Sequence, residues 1–222
     1  NSSMNSAFLG YLLTGDKPST SSALFEGSFY EKIPALKGNK NAQFRQVTLS
    51  ASKEALTLVH QNNPESDFSW DGIVGVTVET IPTSTYPNFA ASPNQEDVHI
   101  VQIHFFAKRS EKVGAKREEF DREFLTSDLN LAVAWKNLIL QIANNPSFVP
   151  TDYKDITQIP PFRRFLFVFI NPNSGTKQGM KVWNQAKPFL RKCGITFVEF
   201  FTEYQNHARD YLLNMDATGL KE

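Results

Sequence analysis

The sequence predicts two units of different class. The first is α+β, an antiparallel β-barrel or sandwich closed by one C-terminal helix, and the second is α/β and opens as a parallel sheet. Three observations predict this. Period-two apolar runs fill the first half, an amphipathic helical stretch follows, and beyond a proline-rich segment strand-like and helix-like patterns alternate.

Phe25–Ile33 is apolar and aromatic and ends at Pro34, and Phe44–Leu49 and Ala55–Val59 follow as further strands. In Gly72–Ile81, Val74, Val76 and Val78 share one face, the pattern of a half-buried strand. Val98–Ala107 sets Val101, Ile103 and Phe105 on one face and Gln102 and His104 on the other. Pro82–Pro93 reads as a long loop, and the mixed charges of Lys108–Glu123 read as a polar connection. Ser127 or Asp128 suits a helix N-cap. Leu131, Trp135, Leu138 and Ile142 then form one apolar stripe that Asn144, Asn145 and Pro146 stop. Prolines 146, 150, 160 and 161 mark an extended linker. After it, Phe165–Ile170 is apolar on both faces, as a buried parallel strand is. A helix over about Gln178–Lys192, with Gly194 as its left-handed cap, leads to a second strand, Ile195–Phe201, and a second helix, Gln205–Met215.

The 222 residues are 41% hydrophobic and 21% charged, which excludes a disordered or fibrous chain. Cys193 is the single cysteine, so no disulfide framework or Cys-based zinc cluster is available, and a reducing compartment is expected. No apolar run approaches the roughly 18–20 residues of a membrane span, and no basic-then-apolar leader opens the chain. A soluble cytoplasmic chain is therefore expected. The 23 Lys and Arg balance the 23 Asp and Glu, which excludes a generic nucleic-acid binder. From Arg163 onward nine basic residues face five acidic ones, a charge of +4, against −4 over Asn1–Phe162. That asymmetry favours an anionic ligand on the C-terminal part, although such excesses are commonly solvated surface. The histidines (60, 99, 104 and 207) are dispersed, and His99 and His104 point to opposite faces of one strand, so no metal site is expected.

Chemistry concentrates after Ile170. A strand that delivers Asn171-Pro172-Asn173-Ser174-Gly175 to a helix start can aim backbone N–H groups at an anion, because the first four N–H groups of a helix lack internal partners. Thr176 adds a hydroxyl and Lys177 a positive charge. The alternative is a plain turn, since every residue of the string is a turn former.

Several antiparallel strands closed by one helix with an inward Trp resemble a pleckstrin-homology domain over about Ser6–Asn145. Residues 1–146 are assigned to it, 147–162 to the linker and 163–222 to the second unit. Phe165–Gly175, an apolar strand followed by Asn-Pro-x-x-Gly, resembles the opening of the diacylglycerol-kinase-type catalytic domain. Phe201-Thr-Glu-Tyr-Gln-Asn-His-Ala-Arg-Asp210 resembles that family's second motif, in a spelling closest to the sphingosine kinases.

The resemblance implies a Rossmann-like nucleotide-binding domain, of which this chain holds the first βαβα part. It implies ATP with Mg²⁺ as cofactors, and γ-phosphoryl transfer to the primary hydroxyl of a sphingoid base by a kinase peripherally associated with a membrane. Asn171, Pro172, Asn173, Ser174 and Gly175 would line the phosphate and ribose region, and Thr202, Glu203, Tyr204, Gln205 and Asn206 the other side of the nucleotide. Thr202 also suits an N-cap. His207 reads as a packed or capping histidine ahead of a catalytic base, and Arg209 as a solvated helix arginine ahead of a phosphate ligand. Ser174, Thr176 and Lys177 depart from the sphingosine-kinase pattern Asn-Pro-x-Gly-Gly-Lys-Gly, standing for its first Gly, its Lys and its last Gly. The catalytic Asp of a Gly-Gly-Asp-Gly string does not occur, so no catalytic residue is assigned and the chain reads as a fragment. Ceramide or diacylglycerol phosphorylation is the nearest alternative activity. A non-catalytic membrane- or protein-binding module is the alternative of another class. Lys32, Lys37, Lys40 and Arg45 would hold anionic lipid if the first domain binds it, and otherwise form a solvated loop.

Overall fold

A segment with inward residues at every second position buries one face of a strand and leaves the other to solvent. In β1 (Phe25–Ile33), Gly27, Phe29 and Glu31 are buried while Glu26 and Ser28 are exposed. The computed structural model describes residues 23–33, 43–60, 63–86, 89, 96–108, 117–145, 147–173 and 177–215. It divides into two compact units, Asn1–Phe162 and Arg163–Glu222.

The first unit continues with β2 (Gln43–Ala51), β3 (Ala55–His60), β4 (Asn63–Ser69), β5 (Ile73–Pro82), β6 (Asp97–Lys108), β7 (Arg117–Thr126) and α1 (Leu129–Asn144). The strands form one antiparallel sheet in the order β4-β3-β2-β1-β7-β6-β5. The expected closed barrel is corrected, because among the described residues the outer strands β4 and β5 do not pair and the sheet stays open. A single 3₁₀ turn, Trp70–Gly72, joins those two strands, and α1 packs against β5.

One further correction concerns a strand. Arg117–Thr126, which overlaps the Lys108–Glu123 stretch expected as a polar connection, forms β7 and pairs with β6 from Lys108↔Arg117 to His99↔Thr126. Residues 63–69, for which the sequence predicts no element, form β4. Phe120 and Phe124 supply the apolar alternation of β7, and its charges meet cross-strand partners. Asp121 Oδ1 lies 2.8 Å from His104 Nδ1, and the Lys32 ammonium donates to Glu123 at 2.6 Å.

Asp128 caps α1, accepting the N–H groups of Asn130 (2.8 Å) and Leu131 (3.1 Å). The helix directs Trp135, Leu138 and Ile139, all fully buried, onto Phe29, Leu49, Leu56, Ile103 and Phe124. The expected linker folds onto this core: Ile159 is buried, and Phe148, Tyr153, Ile156 and Phe162 pack beside it. Gln141 on α1 donates to the Pro160 carbonyl at 3.1 Å. The prolines break the periodicity of 147–162 without removing its apolar residues, and those find cover on α1. Beyond β5, Phe89 and Tyr86 turn back to make a second cluster with Val98, Ile100, Leu125, Tyr30 and Phe44.

The second unit is β8 (Arg164–Ile170), α2 (Gly179–Lys192), β9 (Ile195–Phe201) and α3 (His207–Asn214), with β8 and β9 parallel. Gly194 adopts the left-handed conformation (φ 69°) expected after α2. Trp183 of α2 is buried edge-on against Phe197 of β9, with ring centroids 5.2 Å apart. The expectation that β8 is buried on both faces is corrected: Phe165 is 50% exposed and Leu166 41%. Two strands and two helices do not cover both faces of the described layer. No helix among the described residues is long and apolar enough to cross a membrane.

A Cβ added at Gly27 would lie 2.3 Å from Trp135 Nε1, which the packed core cannot yield. Gly27→Ala is expected to lower the stability of the first unit by about 1–3 kcal/mol, read from urea denaturation followed by tryptophan fluorescence. In the second unit the Lys187 ammonium pairs with Glu199 and holds that carboxyl below its ordinary range. A lowered carboxylate pKa stabilises above the unfolded value, and the contribution is lost as pH falls through the folded one. An acid titration is expected to unfold the second unit at lower pH in the wild type than in Lys187→Met.

Candidate functional site

The register of β8 and β9 builds the site. Ile170 pairs with Phe201, so Asn171 and Thr202 leave the sheet side by side at the carboxyl ends of two parallel strands. In open α/β sheets that is where ligands bind. Thr202 extends the ladder by one bond, its N–H donating to the Ile170 carbonyl at 2.9 Å, and its hydroxyl also points at that oxygen (3.4 Å).

The first turn starts with Asn171, whose side-chain Oδ1 accepts the Asn173 N–H at 2.9 Å. This closes an Asx turn around Pro172, whose ring fixes the backbone between them. Asn171 and Asn173 are exposed, whereas Ser174, Gly175 and Thr176 lie outside the described residues. Lys177, two residues before α2, has φ 60°. In the second turn, Glu203, Tyr204, Gln205 and Asn206 are exposed, and Asn206, with φ 69°, caps α3.

Lys177 and Asn206 are the non-glycine residues with left-handed backbone among the described residues, and one stands in each turn. Such strain gathers where function over-determines the backbone. The exposed residues Asn171 and Asn173 of the first turn and Glu203–Asn206 of the second thus precede a helix start, where N–H groups and the helix dipole favour an anion.

The two motifs therefore meet, with Asn171–Asn173 on one side and Thr202–Asn206 on the other. Thr202 is not the helix N-cap that its sequence also allows, because the N-cap of α3 is Asn206, four residues later. His207 is a packed histidine: its Nδ1 accepts the Glu203 N–H (3.1 Å) and its ring stacks on Tyr204 and meets Phe200 edge-on. Arg209 is exposed.

In the first unit, Lys32 and Arg45 do not form a solvated loop. Arg45 Nε donates to the buried Glu31 carboxylate at 2.8 Å, and Arg122 pairs with the same carboxylate. Burial opposes the charge of Lys32, yet Glu123 and Tyr86 outweigh it and hold the ammonium above its ordinary value. Lys37 and Lys40 lie outside the described residues. Among the described residues no group of three or more His, Cys, Asp or Glu comes together as a metal site.

Sequence reasoning missed the left-handed pair and the Tyr204–His207 stack. Asn206 carried a signal, because Asn tolerates the left-handed region; lysine at 177 carried none of its own, and the signal there was the glycine of the pattern that the segment resembles. At Lys177 a β-branched residue is costlier than lysine and glycine is strain-free. Lys177→Val is therefore expected to destabilise the second unit by roughly 1–2 kcal/mol while Lys177→Gly is tolerated, measured by amide exchange in β8 and α2 of the full chain.

Residues 165–221 match the family model described as the diacylglycerol kinase catalytic domain. The match begins in β8 and runs through α2, β9 and α3, so the second unit is similar to the catalytic domain of lipid kinases. No curated protein matches the chain.

Proposed function

We propose that this chain carries the nucleotide-binding end of a lipid kinase of the sphingosine-kinase type. ATP sits at the carboxyl ends of β8 and β9, and the γ-phosphoryl group passes to the primary hydroxyl of a sphingoid base at a membrane surface. The observation that carries the reading is the joining of Asn171 and Thr202 by the Ile170↔Phe201 register, with a left-handed residue in each of the two turns.

The donor set fits a nucleoside triphosphate. The Asn171, Asn173 and Asn206 side chains are exposed, and Thr202 carries a hydroxyl at the mouth. In this reading Asn171, Pro172, Asn173, Ser174 and Gly175 hold the phosphates and ribose. Thr202, Glu203, Tyr204, Gln205 and Asn206 flank the rest of the nucleotide. Phosphoryl transfer asks the protein mainly for positioning and for charge neutralisation around the phosphates, and backbone donors held by a sheet supply the positioning. Mg²⁺, which keeps to phosphate oxygens, water and one or two carboxylates, enters with the nucleotide, and no side chain here is assigned to it. The Gly-Gly-Asp-Gly string does not occur in these 222 residues, so the proton of the lipid hydroxyl has no assigned acceptor in this chain.

The test has two arms. A fluorescent ATP analogue is expected to bind the 222-residue chain, and Thr202→Ala or Asn171→Ala to weaken it by roughly tenfold, the size of one lost charge-assisted hydrogen bond. Equal affinity in both variants refutes the site. A phosphorylation assay of the full-length protein on sphingosine, ceramide and diacylglycerol is expected to favour sphingosine. Preference for either of the others moves the substrate assignment within the class, and turnover of none supports a non-catalytic module.

A further inference from the structure

We infer that His207 is a positioning residue, a pin that fixes the Thr202–Asn206 turn through the acceptor at Nδ1. The inference rests on the nucleotide reading above for what the turn binds, and on geometry alone for how it is held.

The turn has little of its own to fix it, since its four residues after Thr202 are exposed. Its first N–H beyond the sheet extension, that of Glu203, donates inward to His207 Nδ1 at 3.1 Å. A ring nitrogen that accepts from a backbone N–H carries no proton of its own, so in this contact Nδ1 is the acceptor. The ring is fixed from two sides. Phe200, the penultimate residue of β9, meets it edge-on with centroids 4.8 Å apart, and Tyr204 stacks on its face at 4.2 Å and 17°. Phe200 is in turn held by Phe169 of β8 and Tyr211 of α3. The His207 N–H donates to the Tyr204 carbonyl at 3.3 Å, so ring and backbone of one residue hold the adjacent residues Glu203 and Tyr204 at the start of the turn.

The grip has a consequence for Asn206. A left-handed non-glycine residue stays so only when its surroundings over-determine it. Asn206 lies between the two anchored points, Glu203 on the ring and His207 at the helix start. Without the acceptor the Glu203 amide turns to solvent, Asn206 relaxes and the donors on this side of the mouth diverge. His207 touches no reacting atom in this scheme. It acts through the turn, and its contribution is pre-organisation.

Two substitutions separate the acceptor from the ring. His207→Asn keeps a δ-position acceptor without the aromatic ring, and His207→Phe keeps the ring without the acceptor. Amide exchange on the 222-residue chain is expected to show the Glu203 N–H protected in wild type and in His207→Asn and unprotected in His207→Phe. Affinity for the ATP analogue is expected to fall by roughly three- to tenfold in His207→Phe, the range of one net hydrogen bond, and to be largely rescued in His207→Asn. If His207→Phe retains both Glu203 protection and affinity, or His207→Asn loses both while the unit stays folded, the acceptor role is overturned. A wild-type chain that fails to bind the analogue overturns the nucleotide reading instead, and the exchange of Glu203 then decides the pin by itself.

Discussion

The in-register parallel ladder between β8 and β9 is the constraint on which the rest of the second unit depends. Side-chain direction alternates along a strand, so a slip of one residue in the Ile170↔Phe201 pairing would turn Thr202 to the other face and separate it from Asn171. Two contacts hold the register at the functional end. The Thr202 N–H bonds the Ile170 carbonyl, and Phe169 and Phe200 meet as neighbouring rings that share Tyr211 of α3. The same aromatic group that packs α3 on the sheet therefore aligns the strand ends and supports the ring of His207. Packing, register and the shape of the turn are one system in this unit.

The first unit shows a different economy. Its strands carry many charges, and several of them are answered within the sheet. Glu31 is taken by Arg45 and Arg122, Glu123 by Lys32 and Asp121 by His104, whose Nε2 lies 3.1 Å from the Thr77 hydroxyl. A buried carboxylate such as Glu31 needs this, because removing one partner leaves an uncompensated charge in a low-dielectric interior. The cations that the sequence offered for anionic lipid are thereby committed, at Lys32 and Arg45, to holding strands together. An anionic headgroup at these positions would have to displace carboxylates already in hydrogen-bonding contact.

These pairs also explain what could be read in advance and what could not. β1, β5 and β6 were legible because their apolar residues alternate, α1 because Asp128 and the Leu131–Ile142 stripe mark its start and its face, and the second unit because Phe165–Ile170 and Ile195–Phe201 bracket a capped helix. β7 was hidden because the mixed charges of Arg117–Glu123 mask the alternation of Phe120 and Phe124, and the partners of those charges lie on other strands. The 147–162 segment was misread because prolines mask periodicity while Ile156, Ile159 and Phe162 still seek cover. At the site, the pairing of the two motifs was legible from their order on strands and helices. The pin at His207 was not, because a histidine in a sequence does not reveal which of its nitrogens accepts.

Lys177 shows why departures from a motif need not abolish the site. The pattern this segment resembles ends in glycine at that position, which suggests a need for left-handed backbone, and here lysine adopts it at φ 60°. The strain is of order 1 kcal/mol, small against the packing of Trp183 on Phe197 that fixes the helix behind it. A site built from backbone N–H groups at strand ends is set by dihedral angles and register more than by side-chain identity. The side chain at 177 can therefore differ from the pattern while its left-handed backbone is kept. Lysine adds a mobile positive charge at the entrance to α2, where glycine would give only conformational freedom. At this position the departure exchanges backbone ease for electrostatic attraction toward an anionic ligand.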